Sequence, residues 1–158
     1  MNAPFTPAPE ETVDLGELSR SVGFMLRITQ VRAYAQFFRA FADTDVRPGE
    51  FTVLWVLAQN PGLRQGTLAR TLIIKPAHMT KLVQRLVDEG FVARTIPPED
   101  RRAVCLTLTD AGAAHVAHHQ DRFNAVHTPA RVGLNEREYA QLLTLLGKMT
   151  FKDTPECP

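Results

Sequence analysis

The chain has 158 residues, 44% of them hydrophobic and 22% charged, with a formal net charge of +1, a composition that fits one ordinary soluble domain. Cys105 and Cys157 stand far apart, which excludes a disulfide framework and points to a reducing cytoplasm. No apolar run approaches the roughly 20 residues of a membrane span, and MNAPFTPAPEETV lacks the basic-then-apolar order of a secretory signal, so no membrane partner is expected.

From Asp14 to about Ala42 the spacing predicts one long helix. Leu15, Leu18, Val22, Met25, Leu26 and Thr29 mark one face, which Phe37, Phe38 and Phe41 continue. Its apolar stripe is longer than a small domain can cover, so much of it should meet a partner chain. Pro48 and Gly49 punctuate a break before a second helix, Glu50 to Gln59, which Asn60, Pro61 and Gly62 end. A short helix is predicted over Gln65 to Thr71. The next starts at Pro76, because proline suits a first helical turn, and runs to about Glu89 with Gly90 in the stop position. Its Met79, Leu82, Val83 and Leu86 recur at helical spacing and should face inward. That leaves Ala77, His78, Thr80, Lys81, Gln84 and Arg85 outside.

Phe91 to Ile96 is β-prone, and Arg102 to Leu108 alternates, with Val104, Leu106 and Leu108 on one side and Ala103, Cys105 and Thr107 on an open face. Pro97 to Arg101 would form the tip of this two-stranded ribbon. Thr109 is a good N-cap for a helix running through Phe123 and Val126. Asn135 and Glu138 have the spacing of a capping box, with Leu134 and Tyr139 placed as a hydrophobic staple. Leu142, Leu143, Leu146 and Met149 give that last helix one apolar face. The expected fold is mainly α with a small β-hairpin: a helix-turn-helix and wing between flanking helices that dimerise.

Charge is distributed unevenly. Between Glu50 and Asp88 there is no acidic residue, while Arg64, Arg70, Lys75, Lys81 and Arg85 fall there and Arg94, Arg101 and Arg102 follow. A near-neutral chain with a concentrated basic middle suggests a local face for a polyanion.

Two segments, MTKLVQRLVDEGFVAR and PEDRRAVCLTLTDAG, carry a resemblance. Arg85, Leu86 and Gly90, then Asp100, Arg101 and Arg102, then Leu108, Thr109 and Gly112 resemble the recognition-helix end, wing tip and following helix start of MarR-family regulators. The resemblance covers about Asp14 to Met149. It implies a homodimer that binds double-stranded DNA as a transcriptional regulator, with a small-molecule effector and neither catalysis nor a cofactor. It divides the chain into an arm (1–13), a single MarR-type domain (14–151) and a tail (152–158). Within the domain, dimerisation helices (14–46 and 110–151) flank the DNA-binding lobe (47–109).

On that pattern, Asp100 braces Arg102, Arg102 enters a narrow minor groove, and Arg101 meets a phosphate. His78, Thr80, Lys81 and Gln84 face the major groove, with Lys75 and Arg85 at the helix ends placed for phosphates. An effector pocket between dimer helices and lobe is expected to draw on Arg27, Tyr34, Phe38, Phe51, Trp55, His115 and His119. Aromatic walls with one or two cations suit an aromatic carboxylate or its thioester.

His115, His118 and His119 form a cluster, and the first and last share a helix face. Metal-sensing relatives also use a histidine beside the acid that opens the second helix, whereas here Phe51 follows Glu50, so no metal site is expected. Peroxide-sensing relatives carry a cysteine near the start of the first helix, which this chain lacks, and Cys105 reads as a packing thiol. A zinc or redox sensor on the same fold stays open as an alternative, as does a winged helix used for protein contacts.

Overall fold

The computed structural model describes residues 12–98, 100 and 103–150. The expected long first helix is divided. A 3-10 turn, Gly16–Arg20, precedes α1, Val22–Ala40, because Ser21 takes extended backbone and its hydroxyl accepts the Phe24 N–H. A serine that caps the helix from outside cannot also continue it. The three phenylalanines also separate. Phe37 and Phe41 are buried and stack with ring centroids 4.4 Å apart, while Phe38 stays exposed.

The second helix, α2, spans Pro48–Gln59 and begins two residues earlier than expected, with proline in its first turn. Helix α3 covers Gln65–Thr71 and α4 covers Pro76–Asp88. In α4, Met79, Leu82, Val83 and Leu86 are buried, as their spacing requires. They pack with Val53, Leu54 and Leu57 of α2 and Leu68 of α3 into the main core. Between α3 and α4, Ile73 holds a φ of 52° while 86% exposed, a costly conformation for a β-branched residue.

The wing has three strands rather than two. Leu63–Arg64 forms β1, Val92–Thr95 β2 and Cys105–Leu108 β3, antiparallel in the order β1-β3-β2. Leu63 pairs Leu106 and Val92 pairs Leu108. Both wing strands are shorter than the alternation suggested, and Ala103 is buried rather than on an open face. The tip residues Glu99, Arg101 and Arg102 lie outside the described residues.

Helix α5, Asp110–Val126, starts where Thr109 ties three segments together. The Thr109 hydroxyl donates to the Gly90 carbonyl at 2.6 Å and accepts the Gly112 N–H at 3.0 Å, and the Thr109 N–H donates to the Phe91 carbonyl. Gly90 supports this junction with a φ of 78°, a left-handed conformation that glycine adopts without strain. A side chain at Gly112 has no room, since a Cβ there would sit 2.1 Å from the Phe91 carbonyl oxygen.

A four-residue helix that periodicity does not reveal, α6 (Pro129–Val132), leads to α7, Glu136–Thr150. The capping box forms: Glu138 accepts the Asn135 N–H and Asn135 accepts the Glu138 N–H, both at 2.9 Å. Yet α7 buries no residue within the chain. Leu142, Leu143, Leu145 and Met149 are exposed, as are Leu15, Leu18, Val22, Met25, Leu26, Val31 and Tyr34 near the other end of the chain. No helix among the described residues is long and apolar enough to cross a membrane.

Two stability outcomes follow from the junction. Gly112→Ala should lower stability by about 1–3 kcal/mol or more, because its methyl group meets backbone that cannot swing aside. Thr109→Ala should cost roughly 1–2 kcal/mol through the lost cap. Urea unfolding at fixed protein concentration reads both, and an unshifted Gly112→Ala midpoint would show that the close approach is not tight.

Candidate nucleic-acid interface and adjoining cavity

The exposed side of α4 carries Lys75, His78, Thr80, Lys81, Gln84 and Arg85, as expected from its period. The structure sorts them into two groups. Among the described residues, Lys75, His78 and Lys81 make no side-chain hydrogen bond or ion pair and point their polar ends to solvent. The other three are engaged. Thr80 donates to the Pro76 carbonyl at 3.0 Å and accepts from the Gln65 amide at 3.2 Å, which links α3 to α4. The Gln84 carbonyl oxygen accepts from Arg94 of β2 at 2.6 Å, and its amide nitrogen donates to Asp88 at 2.7 Å. Each end of that side chain is engaged once, which ties its orientation to Arg94 and Asp88 and leaves one N–H and one lone pair for any further partner. Arg85, expected at a phosphate, reaches inward to the Glu50 carboxylate.

At the wing, the Asp100 N–H donates to the Pro97 carbonyl and the Ala103 N–H to the Asp100 carbonyl. Arg64 of β1 lies 3.4 Å from the Asp100 carboxylate. Arg64, Thr67, Arg70 and Asp100 border one shallow cleft between α3 and the wing. The strand pairing of β1 brings Arg64 there. The sequence counted Arg64 and Arg70 as basic but did not place them beside the wing. The roles expected of Arg101 and Arg102 fall outside the described residues.

A cavity of about 450 Å³ opens between α2, α5, the end of α4 and the segment before α2. Phe51, His115 and His119 line it, as expected. Arg27, Tyr34 and Phe38 do not line the cavity of this chain. They share the exposed face of α1, whereas the face turned toward α5 carries Phe37 and Phe41. Trp55 packs on Phe51 and Phe123 and borders a second cavity, of about 340 Å³, on the other side. Arg47, Glu50, Glu89 and Phe91 join the main cavity without having been anticipated. Only the charge of Arg47 and Glu50 and the aromatic ring of Phe91 could have hinted at them.

Glu50 is the buried charge of this site. Its carboxylate meets Arg85 from α4 and lies 3.8 Å from Arg47. Burial raises its pKa above the usual carboxylate value, a shift that the two guanidinium groups oppose. Burial lowers the pKa of His115 and of His119, which favours neutral imidazoles. The Phe91 and His115 rings lie 4.4 Å apart, tilted by 31°, and those of His115 and His119 lie 4.7 Å apart. Among the described residues, no three His, Cys, Asp or Glu side chains converge on a possible metal position. Cys105 is half-buried on β3, opposite Arg64 and Thr95.

Comparison with known proteins fits this geometry. A family model described as MarR family matches residues 46–104, the lobe from the start of α2 to the wing. A transcriptional regulatory protein for the hcr operon of Thauera aromatica is 31% identical over 151 residues, covering 94% of this chain and 91% of that protein. The solved repressor CouR, bound to a 23-mer DNA duplex, superposes with a TM-score of 0.78 at 31% identity, over 88% of this chain and 99% of that one. CouR bound to p-coumaroyl-CoA gives 0.77 at 29% identity, over 89% and 99%. Bordetella bronchiseptica BpsR, whose DNA binding is regulated by 6-hydroxynicotinic acid, gives 0.78 at 28% identity, over 85% and 96%. Identity over nearly the whole chain, together with the shared lobe and flanking helices, places this chain in the MarR family of winged helix-turn-helix transcription regulators.

Proposed function

We propose that two copies of this chain bind a pseudo-palindromic operator as a repressor and release it when a small aromatic carboxylate or thioester fills the cavity beside α2 and α5. The observation that carries the DNA-binding reading is the exposed face of α4. From Pro76 to Val87 its exposed polar side chains are basic or neutral, with Asp88 held by Gln84 at its end, while its other face is core, so the helix is fixed as a platform and free to enter a groove. Lys75, His78 and Lys81 are the direct contacts on that face. Thr80, Gln84 and Arg85 orient it. Arg64 and Arg70 add phosphate contacts beside the wing, where Asp100 braces Arg102 for the minor groove and Arg101 meets a phosphate.

Dimerisation is the reading of the apolar faces. A 15-residue helix such as α7, with nothing buried in its own chain, is marginal by itself in water. Its exposed leucines and the stripe on α1 supply what a two-fold interface needs. Residues 14–46 and 110–151 then form the dimer body, and 47–109 the reading lobe. DNA and p-coumaroyl-CoA, each bound to the similar repressor CouR, support the pairing of operator and effector. The working compartment is the cytoplasm, and the chain acts as a regulator rather than a catalyst.

Operator affinity should fall about a thousandfold or more between ~50 and ~200 mM salt, since a dimer neutralises several phosphates. Footprints should show half-sites whose centres lie about 10–11 base pairs apart, or a multiple of that. Fluorescence anisotropy and footprinting on DNA flanking the gene read both, and a salt-independent affinity or a site without a dyad would defeat the proposal.

Gln84 and Arg94 act as one unit here, so their alanine variants should not be additive. The double variant should lose about as much affinity as either single variant. Lys81→Ala should add its own loss on top of either. Additive losses for Gln84 and Arg94 would show that Gln84 reads the DNA independently.

A further inference from the structure

The cavity's lining says more about its occupant than its size does. His115 and His119 stand one turn apart on α5 and both border it. Among the described residues, no group hydrogen-bonds to either imidazole. The remaining wall is largely apolar, formed by Phe51, Leu54, Leu86 and Phe91. Two imidazoles with unused nitrogens on an aromatic wall form a recognition element looking for a polar partner.

The charges decide which partner fits. Glu50 is buried in the wall, and Asp45 and Glu89 also border the cavity. A carboxylate carried deep inside would face these acids without a free cation, because Arg85 is already engaged by Glu50. Arg47 lies 3.8 Å from the same carboxylate, beyond a close hydrogen bond, and nearer the surface, with its side chain 59% exposed. An anionic or thioester end therefore belongs at the Arg47 side, and the ring points inward.

We infer that the cavity selects hydroxylated aromatic acyl compounds, with His115 and His119 reading the ring hydroxyl and Arg47 facing the acyl end. This rests on the effector reading above and narrows it. A hydroxyl both donates one hydrogen bond and accepts others, and a neutral imidazole offers one acceptor nitrogen and one N–H. The pair can thus satisfy a hydroxyl in both senses. Burial holds both rings toward that neutral form. An unsubstituted ring would fill the same space but leave the imidazoles without partners once water is displaced. Its penalty is that of an unmade hydrogen bond in a half-open cavity, on the order of tenfold in affinity.

The test uses matched pairs on the full-length protein. p-Coumaroyl-CoA is compared with cinnamoyl-CoA, and 4-hydroxybenzoyl-CoA with benzoyl-CoA, each also as the free acid. Calorimetry reads binding, and release of a labelled operator duplex reads function. Within at least one pair, the hydroxylated member should act at roughly tenfold lower concentration. In His119→Phe that ratio should collapse toward one, and His115→Phe provides the second variant should the first fail to fold. The ratio is internal to each variant, so a change in duplex affinity does not confuse it. Equal potency within every pair overturns the inference while leaving the effector reading intact, and so does a preference that survives both histidine variants. If no compound binds while the operator still does, the effector reading falls together with this inference and DNA binding stands.

Discussion

Glu50 sits near the start of α2, with Phe51, Val53, Leu54 and Leu57 as its buried helix neighbours. A carboxylate in such a place is costly unless it is paired. Arg85 supplies the partner from α4, and Arg47 approaches from the segment before α2. The pair does two things at once. It fixes the rotation of α4 against α2, and it puts one member of the contact in the wall of the cavity. Whatever fills that cavity touches the group that holds α4 in place. A ligand shifts the balance between DNA-competent and incompetent arrangements only through a difference in affinity for the two, and the Glu50–Arg85 contact is where such a difference can arise.

A second constraint acts at the opposite ends of the chain. Phe37, Phe41, Val46, Phe51 and Val126 make a small core of their own that joins α1 and α5 to the lobe. Arg122 strengthens this joint from outside, stacking 5.0 Å over the Phe41 ring while it pairs with Asp43. Among the described residues, the apolar side chains on the other face of α1 and Leu142, Leu143, Leu145 and Met149 of α7 are exposed. The lobe is therefore anchored to helices that need a second surface. That joint is narrow, and its Phe51 also lines the cavity.

Elements with strong local signals were legible in the sequence. Proline at the first turn of α4 and its four inward residues located that helix, and the reciprocal Asn135–Glu138 spacing located the start of α7. Thr109 is legible as an N-cap and Gly112 by resemblance, and the structure supplies the reason for both: a hydroxyl that bridges two segments and a glycine pressed against the Phe91 carbonyl. What stayed hidden was non-local. Strand β1 is two residues long and has no period to read. The pairing of Glu50 with Arg85, and that of Gln84 with Arg94, depends on how elements pack. Periodicity also does not say which side of a phenylalanine-rich helix is covered: Phe37 and Phe41 are buried, while Phe38 and Tyr34 are exposed. Arg47 and Phe91 sit just outside regular elements, where no spacing rule applies.

The same packing gives stability a pH dependence whose parts oppose one another. His115 and His119 have folded pKa values below the ordinary 6.5, because burial disfavours the imidazolium. His119 is faced by His115, His118 and Arg122, which lower it further, and by Asp43, which raises it; His115 is faced by Glu89 and His118. Below about pH 6.5 the unfolded chain takes protons that the folded chain resists, so stability is lost as pH falls toward the folded values. Glu50 works the other way. Its folded pKa lies above the ordinary 4.5, so just above that value the folded chain takes the proton first and acid adds stability. Arg85 and Arg47 limit that gain and Glu89 increases it. With two imidazoles against one carboxylate, the urea midpoint should fall between about pH 7.5 and about pH 5.5 at fixed protein concentration. Replacing both histidines with phenylalanine should flatten that fall, whereas Glu50→Gln should steepen it by removing the opposing contribution. A midpoint that rises on acidification, or that Glu50→Gln leaves less sensitive to acid, would mean that the carboxylate rather than the imidazole pair governs how this joint responds to protons.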